Sequence, residues 1–192
     1  MKSFLYGLLI SLSTAGFGFP AATSMTSPKP APTRAGTPDR QAAGRTVVRF
    51  LQWYSSHLDS AGRIILVDQP AGKNYSVNFR NGEKYLALLK NSGHLTDAYL
   101  NEWRTYFRDR QKGFELNPQK EGPPTGFEYD LVLLSQNADV QMKNLNRLRI
   151  DKVTVRADRA TVQCTLLENY EFRLVRRNNR WLINEILNLS AE

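Results

Sequence analysis

Glu128 and Asp130 stand two residues apart in Phe127-Glu128-Tyr129-Asp130-Leu131, two carboxylates set among aromatic and apolar residues. On a strand, side chains two apart share a face. Carboxylates held that close and shielded from water push one pKa upward, which is how a general acid/base pair is made. Glu128 and Asp130 are therefore the catalytic candidates, with Tyr129 or Tyr170 as a phenol to hold an enolate. The pattern has two plainer readings. Val132 and Leu134 continue the face of the acids while Tyr129, Leu131 and Leu133 occupy the other, so the pair equally reads as polar pocket lining or as a solvated strand end.

The remaining reactive residue types are sparse. His57 and His94 have no carboxylate or second histidine at metal-ligand spacing, so no metal site and no cofactor is expected. Ser135 lies in no nucleophile elbow, and no Gly-rich phosphate loop is present. Cys164 is the one cysteine, which excludes an intramolecular disulfide. In Ala160-Thr161-Val162-Gln163-Cys164-Thr165-Leu166 the alternation places it on the inward face of a strand beside Val162 and Leu166, a buried thiol with no cation nearby to activate it.

The chain has 26 Lys+Arg against 18 Asp+Glu, a net charge of +8. Such an excess attracts polyanions or keeps a protein soluble. The amino terminus bears on the partner. Met1-Lys2-Ser3 precedes the short apolar run Phe4 to Leu12 and then small residues, a secretory pattern too short to span a bilayer. Residues 1–24 are read as a signal peptide, cleaved after Ala15, Ala22 or Ser24. A periplasmic or secreted location makes nucleic acid an unexpected partner and favours a small molecule, an envelope component or a protein. No membrane span is expected in the mature form. Residues 25–39, rich in Pro, Ser and Thr, cannot bury enough surface to order themselves and read as a tether.

Residues 40–192 must then position the candidates as a single domain. Val47, Leu51, Tyr54 and Leu58 recur at helical spacing, predicting a helix from about Arg40 to Leu58. Ile64 to Val67 and Tyr75 to Phe79 predict short strands, the second ended by Asn81-Gly82. Helices follow from Glu83 to about Asn91 and from Thr96-Asp97 through Phe114, before the Pro/Gly-rich stretch 118–126. In the last helix Tyr99, Trp103, Tyr106 and Phe107 face inward and the arginines lie at the margins. After residue 126 the period changes to two, predicting strands over Phe127–Gln136, Leu148–Arg156, Ala160–Glu168, Tyr170–Arg176 and Trp181–Leu187. The expectation is an α+β domain, three helices packed on a curved antiparallel sheet. Arg173, Arg176, Arg177 and Arg180 form its densest basic cluster, around the final hairpin.

The segment Leu174-Val175-Arg176-Arg177-Asn178-Asn179-Arg180-Trp181-Leu182-Ile183-Asn184-Glu185-Ile186 resembles the closing hairpin of nuclear-transport-factor-2-like (cystatin-like) domains. The run Gly122 to Gln136 further resembles a family of exported bacterial domains of unknown function, in which an Asp and a Gln, here Asp130 and Gln136, bracket the first long strand. Together the similarities cover about Arg45 to Asn188. The resemblance implies a cone-shaped sheet wrapped around a helix, with a pocket open at one end. Tyr129, Asp130, Gln136, Tyr170 and Arg173 are expected to line it. Members use such pockets as isomerases, dehydratases, docking surfaces or inhibitors, so fold does not choose among them. Three functions follow as expectations: a non-catalytic exported binding domain using the pocket or open sheet face, a pocket enzyme of isomerase or dehydratase type, and an immunity- or inhibitor-like protein. A homodimer through the sheet face is a further possibility.

Overall fold

The computed structural model describes residues 36–190; the signal-peptide reading and nearly all of the tether lie outside them. Helix α1 (Thr37–Gly62) begins at Pro38 in its first turn, where the fixed φ suits a helix and a missing N–H costs nothing. Asp39 complements the helix dipole there. Ala43, Val47, Phe50, Leu51 and Tyr54 form the buried stripe, and burying each large side chain contributes roughly 1.5–3 kcal/mol. The helix exceeds its predicted span at both ends. The strand expected over Ile64–Val67 contracts to β1 (Val67–Asp68), paired antiparallel with β2 (Ser76–Val77).

Phe79 does not continue β2. It opens helix α2 (Phe79–Lys90), because the Asn78 side chain accepts from the Asn81 backbone N–H and starts a helix there. The expected Asn81-Gly82 turn is therefore helical, and Gly82 lets the Phe107 ring approach to where a Cβ would lie 3.1 Å away. Helix α3 (Asp97–Leu116) is capped by Thr96, whose hydroxyl accepts from the Tyr99 N–H. Its stripe packs inward as the spacing predicts: Tyr99, Phe107 and Phe114 are buried, and Trp103 and Tyr106 half-buried.

The largest departure concerns residues 127–136, which form turns rather than a strand. Leu131, Val132 and Leu133 are all buried, whereas a two-faced strand would bury alternate ones. A fourth helix, α4 (Ala138–Lys143), and a 3-10 turn at Leu145–Arg147 follow, neither predicted. Beyond Leu148 the alternation holds. Strands β3 (Arg149–Arg156), β4 (Arg159–Thr165), β5 (Asn169–Arg177) and β6 (Arg180–Asn188) form one antiparallel sheet in the order β3-β4-β5-β6. The β5–β6 connection is a tight turn in which Asn178 and Asn179 both take positive φ, the geometry that matches strand twist.

The sheet is open, four-stranded rather than five-stranded. Val155, Val162, Phe172, Leu174 and Ile183 lie on its buried face against α1, with Cys164 inward among them as expected. Burial, then the nearby Asp151, pushes the Cys164 thiol up to about 12. The β6 edge is partly covered by the segment before α3, where Ile183 N–H donates to His94 O at 2.7 Å and Thr96 N–H donates to Ile183 O at 2.9 Å. The architecture is α+β, with helices on one face of an antiparallel sheet. No helix among the described residues is long and apolar enough to cross a membrane.

Candidate functional site

The loop that replaces the predicted strand is built from its side chains outward. Gly126 sits at φ +89, with the Tyr106 hydroxyl and Arg110 Cδ where a Cβ would point. The same hydroxyl donates to Gly126 O at 2.6 Å and shares a 3.1 Å hydrogen bond with the Tyr129 hydroxyl. Glu128 turns back to accept from the Gly126 N–H at 2.5 Å and remains exposed. Glu128 and Asp130 thus serve separate backbone turns, and no shared strand face brings them together.

Asp130 closes the next turn. Its Oδ1 accepts from the N–H groups of Val132 (3.0 Å) and Leu133 (2.7 Å), and its own N–H donates to Ser135 O at 3.0 Å. Such side-chain capping competes with strand pairing. Oδ2 accepts a short hydrogen bond from the Tyr54 hydroxyl on α1. Burial raises the Asp130 pKa against the opposing pull of these donors. Tyr54 and Tyr85 are raised as well, first by burial and then by their neighbours, Asp130 among them. Burial also raises Tyr99, with Asp130 adding to the effect.

A second polar knot ties the far end of the loop to the sheet. Ser135 Oγ donates to Glu168 Oε1 at 2.7 Å, and the Tyr170 hydroxyl donates to Glu168 Oε2 at 3.1 Å. Asn188 Nδ2 donates to the same carboxylate and to Leu134 O at 3.2 Å. Gln141, fully buried on α4, donates to the Ser135 hydroxyl at 3.0 Å and to that of Tyr170 at 2.8 Å. Burial works against ionisation of Glu168, but these hydrogen bonds prevail and hold its carboxyl below the usual range.

Two clefts adjoin along the loop. One, of about 640 Å³, lies between the end of α1 (Leu58, Asp59, Gly62, Arg63) and Phe127–Asp130, Ser135 and Gln136. The other, of about 390 Å³, is lined by Ile64–Val67, Tyr85, Pro124 and Leu131. Gly62, Phe127, Tyr129 and Asp130 belong to both, so the two adjoin as one groove, apolar along Ile64–Val67 and polar toward Asp59, Arg63 and Gln136.

The structure brings Glu128, Tyr129, Asp130 and Gln136 to this groove. Tyr170 is not among its lining residues and is held in the Glu168 knot, while Arg173 lies exposed in ion pairs with Glu171 and Glu185, both at 2.8 Å. The other hairpin arginines are similarly engaged: Arg176 with Asp39 at 2.7 Å and over the Trp181 ring, Arg177 with Asp158 at 3.9 Å, and Arg180 with Gly93 O at 3.1 Å. His57 stacks on Trp53 at 4.2 Å, and His94 is half-buried, its pKa lowered by burial and then by Arg180 and Arg49. Among the described residues no group of three or more His, Cys, Asp or Glu could hold a metal ion. Sequence reasoning missed Tyr54 and Tyr85, which sit on helical stripes indistinguishable from core, and the Glu168–Ser135–Gln141–Asn188 knot, assembled from residues far apart in the chain. No family model, curated protein or solved structure matches the chain.

Proposed function

We infer that the chain is an exported binding domain whose ligand, a small molecule with an apolar body and a hydrogen-bonding end, seats in the groove above Asp130. The observation that carries this is the joining of two clefts on Phe127, Tyr129 and Asp130. Ile64, Ile65 and Leu66 offer an apolar wall, and Ile65 is 65% exposed, an apolar side chain left for something to cover. Export rests on the pattern of residues 1–24 alone.

Binding is preferred to catalysis because three of the roughly four lone-pair sites of the Asp130 carboxylate already accept hydrogen bonds from the fold. A general base needs a lone pair directed at substrate. The test is native mass spectrometry of the protein purified from its own envelope fraction, beside Ile65→Glu. A co-purifying small molecule present on the wild type and absent from the variant is expected. Turnover in a broad hydrolase and isomerase screen, abolished by Asp130→Asn, would overturn the reading in favour of a pocket enzyme.

A further inference from the structure

The outer face of the sheet carries a separate concavity of about 350 Å³, lined by Lys152, Thr154, Arg156, Arg159, Thr161 and Gln163. Lys152, Thr154 and Arg156 alternate along β3 and therefore share one face. Register supplies the opposite wall: Arg156 pairs with Arg159, Thr154 with Thr161 and Lys152 with Gln163. Two arginines stand directly across from one another, an arrangement that destabilises a strand pair unless an anion lies between them.

Among the described residues no carboxylate supplies that anion. Asp151 is taken by Arg149 at 2.6 Å and Thr165 at 2.7 Å, Glu171 by Arg173 at 2.8 Å and Gln163 at 3.1 Å, and Asp158 by Arg177 at 3.9 Å. Among the described residues Lys152, Arg156 and Arg159 form no ion pair. Arg149, Arg173, Arg176 and Arg177 in the same sheet each have a carboxylate partner. Three of the sheet's four cations without a carboxylate partner are thus gathered in one groove, the fourth, Arg180, donating to Gly93 O instead, and two threonine hydroxyls and an amide add neutral donors there.

We propose that this groove binds a small soluble phosphate-bearing anion, clamped by the Arg156–Arg159 pair with Lys152 at the other end. Guanidinium forks match phosphate oxygens bidentately, and three cations call for more than one negative charge. The concavity falls within the usual size of small-molecule sites. A second copy of the chain docked here would set cations against cations. A lipid surface is disfavoured because the one apolar residue of the lining, Ala160, is buried and the exposed ones offer no large apolar side chain to insert beside a headgroup.

The test is calorimetric titration of the full chain with inorganic pyrophosphate at fixed ionic strength. Saturable binding is expected, weakened about tenfold or more in Arg156→Gln and in Arg159→Gln, as loss of a charge-assisted hydrogen bond implies. Lys152→Gln should weaken it less. These side chains are exposed, so without ligand the variants should unfold at or slightly above the wild-type temperature, which confirms that they fold. Pyrophosphate should raise the melting temperature of the wild type and not of the double variant. Ile65→Glu should leave pyrophosphate binding intact, which separates this site from the Asp130 groove. The proposal is overturned by absence of saturable binding, by wild-type affinity in both Arg variants, or by competition from chloride at the same ionic strength. Capture by phosphatidylglycerol vesicles or an oligonucleotide without pyrophosphate binding would also overturn it.

Discussion

Asp130 and Glu168 hold opposite ends of one loop, and each carboxylate accepts from two or more neighbouring groups. Asp130 takes hydrogen bonds from the Tyr54 hydroxyl and the N–H groups of Val132 and Leu133. Glu168 takes them from Ser135, Tyr170 and Asn188. Their pKa values nevertheless move in opposite directions, up for Asp130 and down for Glu168. Donor count differs only slightly, three groups serving Asp130 and four, with Asn137, serving Glu168. The larger difference lies in the surroundings: Asp130 sits among the buried phenols of Tyr54, Tyr85 and Tyr99, whereas Glu168 lies in the turn between β4 and β5. Desolvation outweighs hydrogen bonding at the first and is outweighed at the second.

That contrast predicts unequal costs for removing the two side chains. Asp130→Ala strands a buried hydroxyl and two backbone N–H groups, and each unsatisfied buried group costs about 1–3 kcal/mol, for a sum near 4 kcal/mol after relaxation. Glu168→Ala leaves the Tyr170 hydroxyl able to donate to Gln141 Oε1 at 3.0 Å and Ser135 still bonded to Gln141, so it should cost about 2 kcal/mol. Urea unfolding measures both, and a larger loss for Glu168→Ala would break the ranking by burial. Gly126→Ala acts only on the Asp130 side. At φ +89, with the Tyr106 hydroxyl 2.7 Å from the new Cβ, it should cost about 1–2 kcal/mol through backbone strain. A variant as stable as the wild type would show that the Tyr106 clamp contributes little to placing the groove.

The two ends of the loop also differ in how far the sequence exposes them. Strands β3 to β6 are legible because Val162, Cys164, Phe172 and Leu174 alternate with polar residues, and period two has few other physical causes. The same rule misreads Phe127–Gln136, where Asp130 spends its side chain on the N–H groups of Val132 and Leu133 and Leu134 takes φ +51. An Asp just before three apolar residues was the available signal for a turn. Helix α4 was hidden for want of length, since six residues carry too little periodicity to count. Glu128, Tyr129, Asp130 and Gln136 lie in a loop where alternation predicts a strand, yet they reach the groove, because a compact loop gathers its residues as a strand would. Tyr170 was placed by alternation in the right strand. Nothing local announced that its hydroxyl belongs to Glu168.

The finest separation of the two carboxyls is by pH. The folded-state pKa of Asp130 lies above its unfolded value, so the folded chain holds that proton more tightly. The associated stability is fully present below the unfolded value and is lost as pH rises through the folded one. Asparagine cannot ionise, so the cost of Asp130→Asn should be greatest in acid and shrink toward neutrality, by roughly 1.4 kcal/mol for each pKa unit separating the two states. Glu168 is displaced downward, so its contribution is present above the unfolded value and is lost as pH falls through the folded one. The cost of Glu168→Gln should accordingly be greatest near neutrality and shrink in acid. Urea unfolding of the wild type and both variants between about pH 3 and pH 8 would show the two differences sloping in opposite senses. Parallel slopes would mean that the same balance of water and donors governs both ends, and that Asp130 is not the more deeply desolvated acid on which the groove is built.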